Sequence, residues 1–207
     1  MKVDLAGHVR RSGPGTRAAI QRVALELFTR KGYEATTLRE IADELGIQKP
    51  SLYYHFKGKA DILQALFDER GDEAEELLAW IEEQPQRPEL VRTAVLRWVE
   101  TFSAEKLRGI RFLAANPLIT HSLEGGANDR IGSTLERLVN VLAGLLPDQS
   151  PSNVLQLRMA LLSINAAVHA SAATSFTDEE ILIAARANAV ATLDALLPLH
   201  TTTRRRR

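Results

Sequence analysis

Residues 37–59 read TLREIADELGIQKPSLYYHFKGK, from Thr37 to Lys59, and two short helices with a turn between them are legible in that run. Thr37-Leu38-Arg39-Glu40 has the form of a capping box, in which the threonine hydroxyl accepts from a first-turn N–H and the glutamate reaches back. Leu38, Ile41, Ala42 and Leu45 follow at helical spacing, and Gly46 stops the helix. A second helix, from about Gln48 to Tyr54, has Pro50 in its first turn, where a missing N–H does no harm, and Gly58 ends the unit. Ile41, Ala42 and Leu45 supply the inner side of the first helix. Ile47, Leu52 and Phe56 anchor the second, leaving Gln48, Lys49, Ser51, Tyr53 and Tyr54 to face outward. Upstream, Thr16 caps a helix whose Ile20, Val23, Ala24, Leu27 and Phe28 share one face and which Gly32 ends. Three helices within residues 16–56, the last two joined by a tight turn, have the pattern of a helix-turn-helix. One helix of that shape fits the DNA major groove while its predecessor braces it across the backbone.

Working outward, the remaining chain also reads as helix, and no run alternates apolar and polar residues as a strand would. A long helix is predicted from Lys59 towards Gln84, with Ile62, Leu63, Leu66, Phe67, Leu77, Leu78 and Ile81 as its stripe and Gly71 as a point where it bends or breaks. Pro85-Gln86-Arg87-Pro88 interrupts the pattern. Further helices are predicted at about 89–105, 107–115, 118–124, 128–146, 152–175 and 178–197. The expectation is an all-α fold of about nine helices. Residues 1–13 and 201–207 are polar and basic and are expected to be disordered.

Composition narrows the classes of function. Of 207 residues, 45% are hydrophobic and 25% charged, ordinary for a globular chain. With no cysteine, disulfides, thiolate metal sites and cysteine nucleophiles are excluded. The first fifteen residues hold no apolar stretch of signal-peptide type, and no run reaches the roughly 18 apolar residues of a membrane span; a cytoplasmic protein with no membrane partner is expected. The net charge is +0, but it is unevenly placed. Residues 1–59 hold 11 Lys+Arg against 6 Asp+Glu, residues 60–203 hold 11 against 20, and four arginines close the chain. A basic front on an acidic body suits a protein that brings only one end to phosphate. Catalytic patterns are missing: there is no Gly-rich phosphate loop and no H-E-x-x-H, and the histidines at 8, 55, 121, 169 and 200 have no local metal-ligand spacing. Asp178, Glu179 and Glu180 fall at a helix start, where capping and the helix dipole account for them. No catalytic residue, metal site or cofactor is expected.

The same stretch closely resembles the DNA-binding signature of the TetR family. It matches at Thr37, Ile41-Ala42, Leu45-Gly46-Ile47, Ser51-Leu52-Tyr53, His55-Phe56 and Lys59, and upstream at Ala24, Phe28, Gly32, Tyr33 and Thr36. The resemblance implies roles position by position. Thr37 caps its helix and offers its hydroxyl or N–H to a phosphate, and Arg39 contacts a base or a phosphate. Gln48, Lys49, Pro50 and Ser51 stand at the base-reading start of the next helix, with Tyr53, Tyr54 and His55 on its backbone-contacting side. Lys59, and less directly Lys57, clamps phosphate. Arg10, Arg11 and Arg17 are candidates for further minor-groove or phosphate contacts.

The resemblance further implies a homodimer on palindromic operator DNA. Its partner contacts run through helices about 152–175 and 178–197, joined to their twofold mates as a four-helix bundle. The stripes behind that expectation are Val154, Leu157, Leu161, Ile164 and Val168, and Ile181, Ala184, Ala187, Ala191, Leu193 and Leu197; a core within one subunit explains them equally well. The middle of the chain, about 88–150, is expected to hold a small-molecule effector of lipophilic or aromatic character. Its candidate lining is Trp98, Phe102, Phe112, Asn116, His121, Arg158, Asn165 and His169, the last two expected to be buried on one helix face. The domains anticipated are a basic leader 1–13, a helix-turn-helix domain 14–60, a helical effector-binding and dimerisation domain 61–200, and a basic tail 201–207. The leading expectation is a repressor released by its effector. A regulator controlled by a protein partner, or an activator, is the alternative; an all-helical enzyme is a third class, distinguished by convergent ionisable groups in a cavity.

Overall fold

The computed structural model describes residues 13–122, 127–172 and 174–197. They form α1 (Gly13–Lys31), α2 (Leu38–Leu45), α3 (Lys49–His55), α4 (Lys59–Glu82), α5 (Pro88–Glu100), α6 (Ala104–Ala115), α7 (Pro117–Ser122), α8 (Ala127–Ala143), α9 (Pro151–Leu161), α10 (Ser163–Ala170) and α11 (Asp178–Leu196). The fold is all-α, with eleven helices rather than nine among the described residues. Residues 1–12 and 198–207, which include Arg10, Arg11 and the basic tail, lie outside the described residues.

Against the spans predicted above, the one further division falls at a break that carries no proline or glycine. Residues 152–175 do not form one helix. Leu162, at φ −92° and ψ 11°, separates α9 from α10, and the second piece already stops at Ala170. The Leu162 N–H bonds to the Arg158 carbonyl, while the Leu161 carbonyl at the break accepts from the Trp98 indole. At the end of α10 the Ser171 hydroxyl donates to the Val168 carbonyl, an alternative to continued helix that serine side chains commonly supply. Gly71 does the reverse of what was expected. It is buried, and α4 runs through it unbroken.

Two apolar cores organise the chain. The first joins Ile20, Val23, Ala24, Leu27 and Phe28 of α1 to Ile41 and Ala42 of α2, Leu52 of α3, and Ile62, Leu63 and Ala65 of α4. The second spans α4 from Ala74 onward, α5, α8, α9, α10 and α11. Helix α4 therefore belongs to both, its first turns to one core and its remainder to the other. Helix α6 bridges them too: Leu107 sits in the second core while Phe112 enters the first, its ring 5.9 Å from that of Phe28. Helix α11 packs on α5, α6, α9 and α10, and α8 lies along α4.

The apolar stripes named for dimerisation are mostly spent inside the subunit. Leu157, Leu161, Ile164, Val168, Ile181 and Leu193 are buried in the second core, with Val154 and Leu197 partly buried against it. Ala184, Ala187 and Ala191 are exposed. A different apolar face is left open on the same helices: Leu155, Met159 and Leu162 on α9 and its end, and Ile183 on α11, all exposed.

Candidate nucleic-acid interface and ligand cavity

The capping box anticipated at Thr37 is present. The Glu40 N–H donates to Thr37 Oγ1 at 3.2 Å, while Glu40 Oε2 accepts from the Thr37 N–H at 2.8 Å and from its hydroxyl at 3.0 Å. Lys31 pairs with the other carboxylate oxygen. The hydrogen bond from Lys31, followed by those from Thr37, holds the Glu40 carboxyl at about 2. Both Thr37 donors expected to meet phosphate are thus occupied by Glu40. Gly46 ends α2 at φ 64°, a left-handed conformation that costs any residue with a Cβ, and the turn delivers the chain to α3.

Helix α3 is a short stub on two anchors, Leu52 at 0% and Phe56 at 2% exposure. Ile47 and Leu45 are partly buried beside them. Gln48, Lys49, Pro50, Ser51, Tyr53 and Tyr54 are exposed, Tyr54 the most so at 86%, and its ring meets His55 edge-on at 5.2 Å. Arg39 is exposed on α2, 3.6 Å from Asp43. The arrangement is a row of hydrogen-bonding side chains held by a buried spine, which is what reading base edges in a groove requires.

Three basic residues make contacts of their own within the headpiece. Lys59 is turned inward. Its ammonium donates to the carbonyls of Tyr33 at 2.6 Å and Glu34 at 3.2 Å, and stands 4.5 Å from the centre of the Tyr33 ring. It ties the start of α4 to the α1–α2 connection with two of its three N–H donors. Lys57 is exposed, and its N–H donates to Asp61 at 2.8 Å. Arg17 donates to the His55 carbonyl at 3.2 Å and lies over the Phe56 ring at 4.4 Å, closing the last turn of α3 against α1.

Behind this headpiece lies a cavity of about 600 Å³, walled by α1 (Ala18, Leu25), α4 (Leu66, Phe67, Arg70), α5 and its exit (Trp98, Phe102), α6 (Lys106, Gly109, Ile110, Leu113), α8 (Leu135) and α10 (Asn165, His169). Of the residues named from sequence it holds Trp98, Phe102, Asn165 and His169. Asn165 and His169 are exposed in the subunit and not buried, because α10 turns that face to the cavity and to solvent. Phe112 and Asn116 line a second cleft of about 740 Å³, with Arg22, Glu26, Arg30, Arg108, Arg111 and Asp178. Arg158 is exposed on α9 and lines neither; the side chain of His121 lies outside the described residues. The expected segment 88–150 therefore supplies only part of the wall, since α1, α4 and α10 complete it.

Sequence reading missed Arg70, Lys106 and Gly109. The Arg70 signal was available, because its position continues the apolar stripe of Leu63, Leu66 and Phe67 on to Ala74, so α4 must turn a guanidinium inward. Burial lowers its pKa, against the opposing effect of Glu73 and Glu69. Gly109 faces Leu25 and Leu66, whose methyl carbons lie 3.7 and 3.8 Å from where a Cβ would stand; α6 thus approaches α1 and α4 closely at the cavity wall. Among the described residues no group of His, Asp or Glu is arranged to hold a metal, and no helix is long and apolar enough to cross a membrane.

A buried-spine reading helix braced by a capped partner, mounted on a helical body, defines a helix-turn-helix nucleic-acid-binding fold. Residues 20–66 match the sequence model of the bacterial regulatory proteins of the tetR family. The chain is 50% identical to the class C tetracycline repressor protein of Escherichia coli over 50 residues, which is 24% of this chain and 23% of that one. The whole fold is similar to a TetR-family transcriptional regulator from Bordetella parapertussis, at a TM-score of 0.62 and 18% identity, covering 89% of this chain and 95% of the other. It is similar also to AibR crystallised with isovaleryl coenzyme A and operator DNA, at 0.55 and 21%, covering 88% and 98%. The helix-turn-helix segment is similar to that of tetR-family regulators, and the all-α body shares the fold of solved structures of that family. The matched stretch spans about a quarter of the curated relative's length.

Proposed function

We propose that this protein is a transcriptional repressor that binds a palindromic operator as a homodimer and is released by a small organic effector. The observation that carries the reading is the position of the 600 Å³ cavity. Its walls are α1 and α4, which also build the core under α3, so a ligand that spreads them reorients the reading helix directly. Two reading helices must stand about 34–36 Å apart to meet successive major grooves, and a ligand that favours any other spacing shifts the population off DNA.

On this reading Gln48, Lys49, Ser51 and Tyr53 contact base edges and phosphates, Tyr54 and Arg39 flank them, and Thr37 and Lys57 lie at the phosphate margin. The division between the two functional units falls inside α4 near Leu66, later than residue 60, because Ile62, Leu63 and Ala65 belong to the core beneath α3. Leu155, Met159, Leu162 and Ile183 form the dimer face, since an apolar patch of this kind on neighbouring helices marks an interaction surface. A cytoplasmic location accords with these roles.

Selection of bound sequences from a random duplex pool, with purified protein at physiological salt, tests the reading. The expected product is an inverted repeat bound by two subunits. Absence of any motif, both before and after unfolding and refolding to strip bound ligand, would overturn it.

A further inference from the structure

Arg70 is 11% exposed on α4 and lies in the corner of two perpendicular rings, its guanidinium carbon 4.2 Å from the centre of Trp98 and 3.9 Å from that of Phe102. One terminal nitrogen, Nη1, is used: it pairs with Glu73 and donates to Thr101 Oγ1 at 3.1 Å. The other, Nη2, is buried and, among the described residues, has no acceptor. Glu73 is shared, because Lys106 pairs with its second oxygen while also donating to the Thr101 carbonyl at 3.0 Å. Two cations thus face the Glu73 carboxylate, with Glu69 also acting on Arg70 and Glu105 on the same wall. What stays unmatched is the Nη2 donor, at one end of a cavity whose other walls include Leu25, Leu66, Ile110, Leu113 and Leu135. The indole of Trp98 is itself fixed, its Nε1 donating to the Leu161 carbonyl at 3.1 Å. Phe102 is only half-buried, so its ring is the part of the clamp able to turn aside. An unmade hydrogen bond from a buried charged donor is costly, and guanidinium nitrogens pair best with anionic oxygens.

We propose that Arg70 is the anion-receiving end of the cavity, and that the ligand is an amphipathic organic anion, a carboxylate or sulfonate on an apolar body. Its acidic oxygens accept from Arg70 Nη2, and its body lies along Leu25, Leu66 and Leu135. The proposal rests on the reading of this cavity as the effector site and names the chemistry that site selects. Lipophilic character alone, as expected from the sequence, describes only the body of such a ligand.

A matched pair of fluorescent probes tests it: 8-anilinonaphthalene-1-sulfonate, and N-phenyl-1-naphthylamine, which has the same rings without the acid. Each is titrated into the full-length protein and into Arg70→Gln and Ile110→Trp. In Arg70→Gln, Glu73 keeps Lys106 as partner, and an unchanged thermal midpoint and circular dichroism spectrum verify the fold. The expected result is that Arg70→Gln weakens the sulfonate probe by about tenfold or more and leaves the neutral probe within about twofold. Ile110→Trp, which fills the cavity, removes both. Equal sulfonate affinity in wild type and Arg70→Gln, an equal loss of both probes in Arg70→Gln, or sulfonate binding that survives Ile110→Trp overturns the anion site. Failure of the neutral probe to bind the wild-type protein would instead overturn the cavity as an effector site.

Discussion

Lys59 and Glu40 carry the sharpest consequences for single side chains. Because the Lys59 ammonium donates to the Tyr33 and Glu34 carbonyls, this position is expected to act on DNA through the placement of α4 more than through its charge. Lys59→Met is expected to weaken operator binding while leaving the slope of log affinity against log salt within a few tenths. A slope reduced by about 0.9 would mean that the lysine meets a phosphate after all. Tyr53, half-exposed on α3, is expected to cost about 1–3 kcal/mol of DNA affinity on change to alanine, with no shift in thermal midpoint. Glu40 illustrates the sign of a depressed carboxyl. Lys31 and Thr37 stabilise its charged form, so its contribution to folding is present above pH 4.5 and is lost as pH falls through about 2. Carboxyl-carbon chemical shifts followed from pH 5 downward should place its titration well below the ordinary carboxylate range. Thr37→Ala removes the cap and should cost about 1 kcal/mol of stability.

At the scale of elements, α2 and α3 form one device with a spine and a hinge. Leu52 is the only buried side chain within α3, and truncation to alanine is expected to cost about 2–5 kcal/mol, with loss of DNA binding and of amide protection across α3. Gly46→Ala should cost about 1–2 kcal/mol, because the left-handed φ strains any Cβ even though open space surrounds it; chemical denaturation measures both. These elements were legible in the sequence because their signals are local: a cap, a stop glycine, a proline start and apolar spacing within a few residues. The α9–α10 break was not. Nothing in Leu161-Leu162-Ser163 punctuates a helix, and the bend at Leu162 has no local signal.

Across the whole molecule, assembly depends on which face of the last helices remains open. A Leu155→Glu, Met159→Glu double variant keeps every buried residue of α9 and should fold with unchanged helicity, yet sediment as a monomer and lose affinity for a two-half-site operator. Retained dimerisation would assign that face to another role. By itself the sequence determined the all-α class, the helix-turn-helix and the likeness of that segment to tetR-family regulators, because each is written in short-range patterns whose residues lie within a few turns of one another. It also told that 151–197 is amphipathic, but not which apolar stripe packs inward, since two stripes satisfy the same helical period. Only the tertiary structure decided that Leu157, Leu161 and Ile164 face the core while Leu155 and Met159 face out. Only it turned Lys59 inward, and only it brought Arg70, Trp98, Lys106 and Asn165 around one cavity. A cavity wall is assembled from helices distant in the chain, and no periodicity along a single helix records which neighbours it will meet.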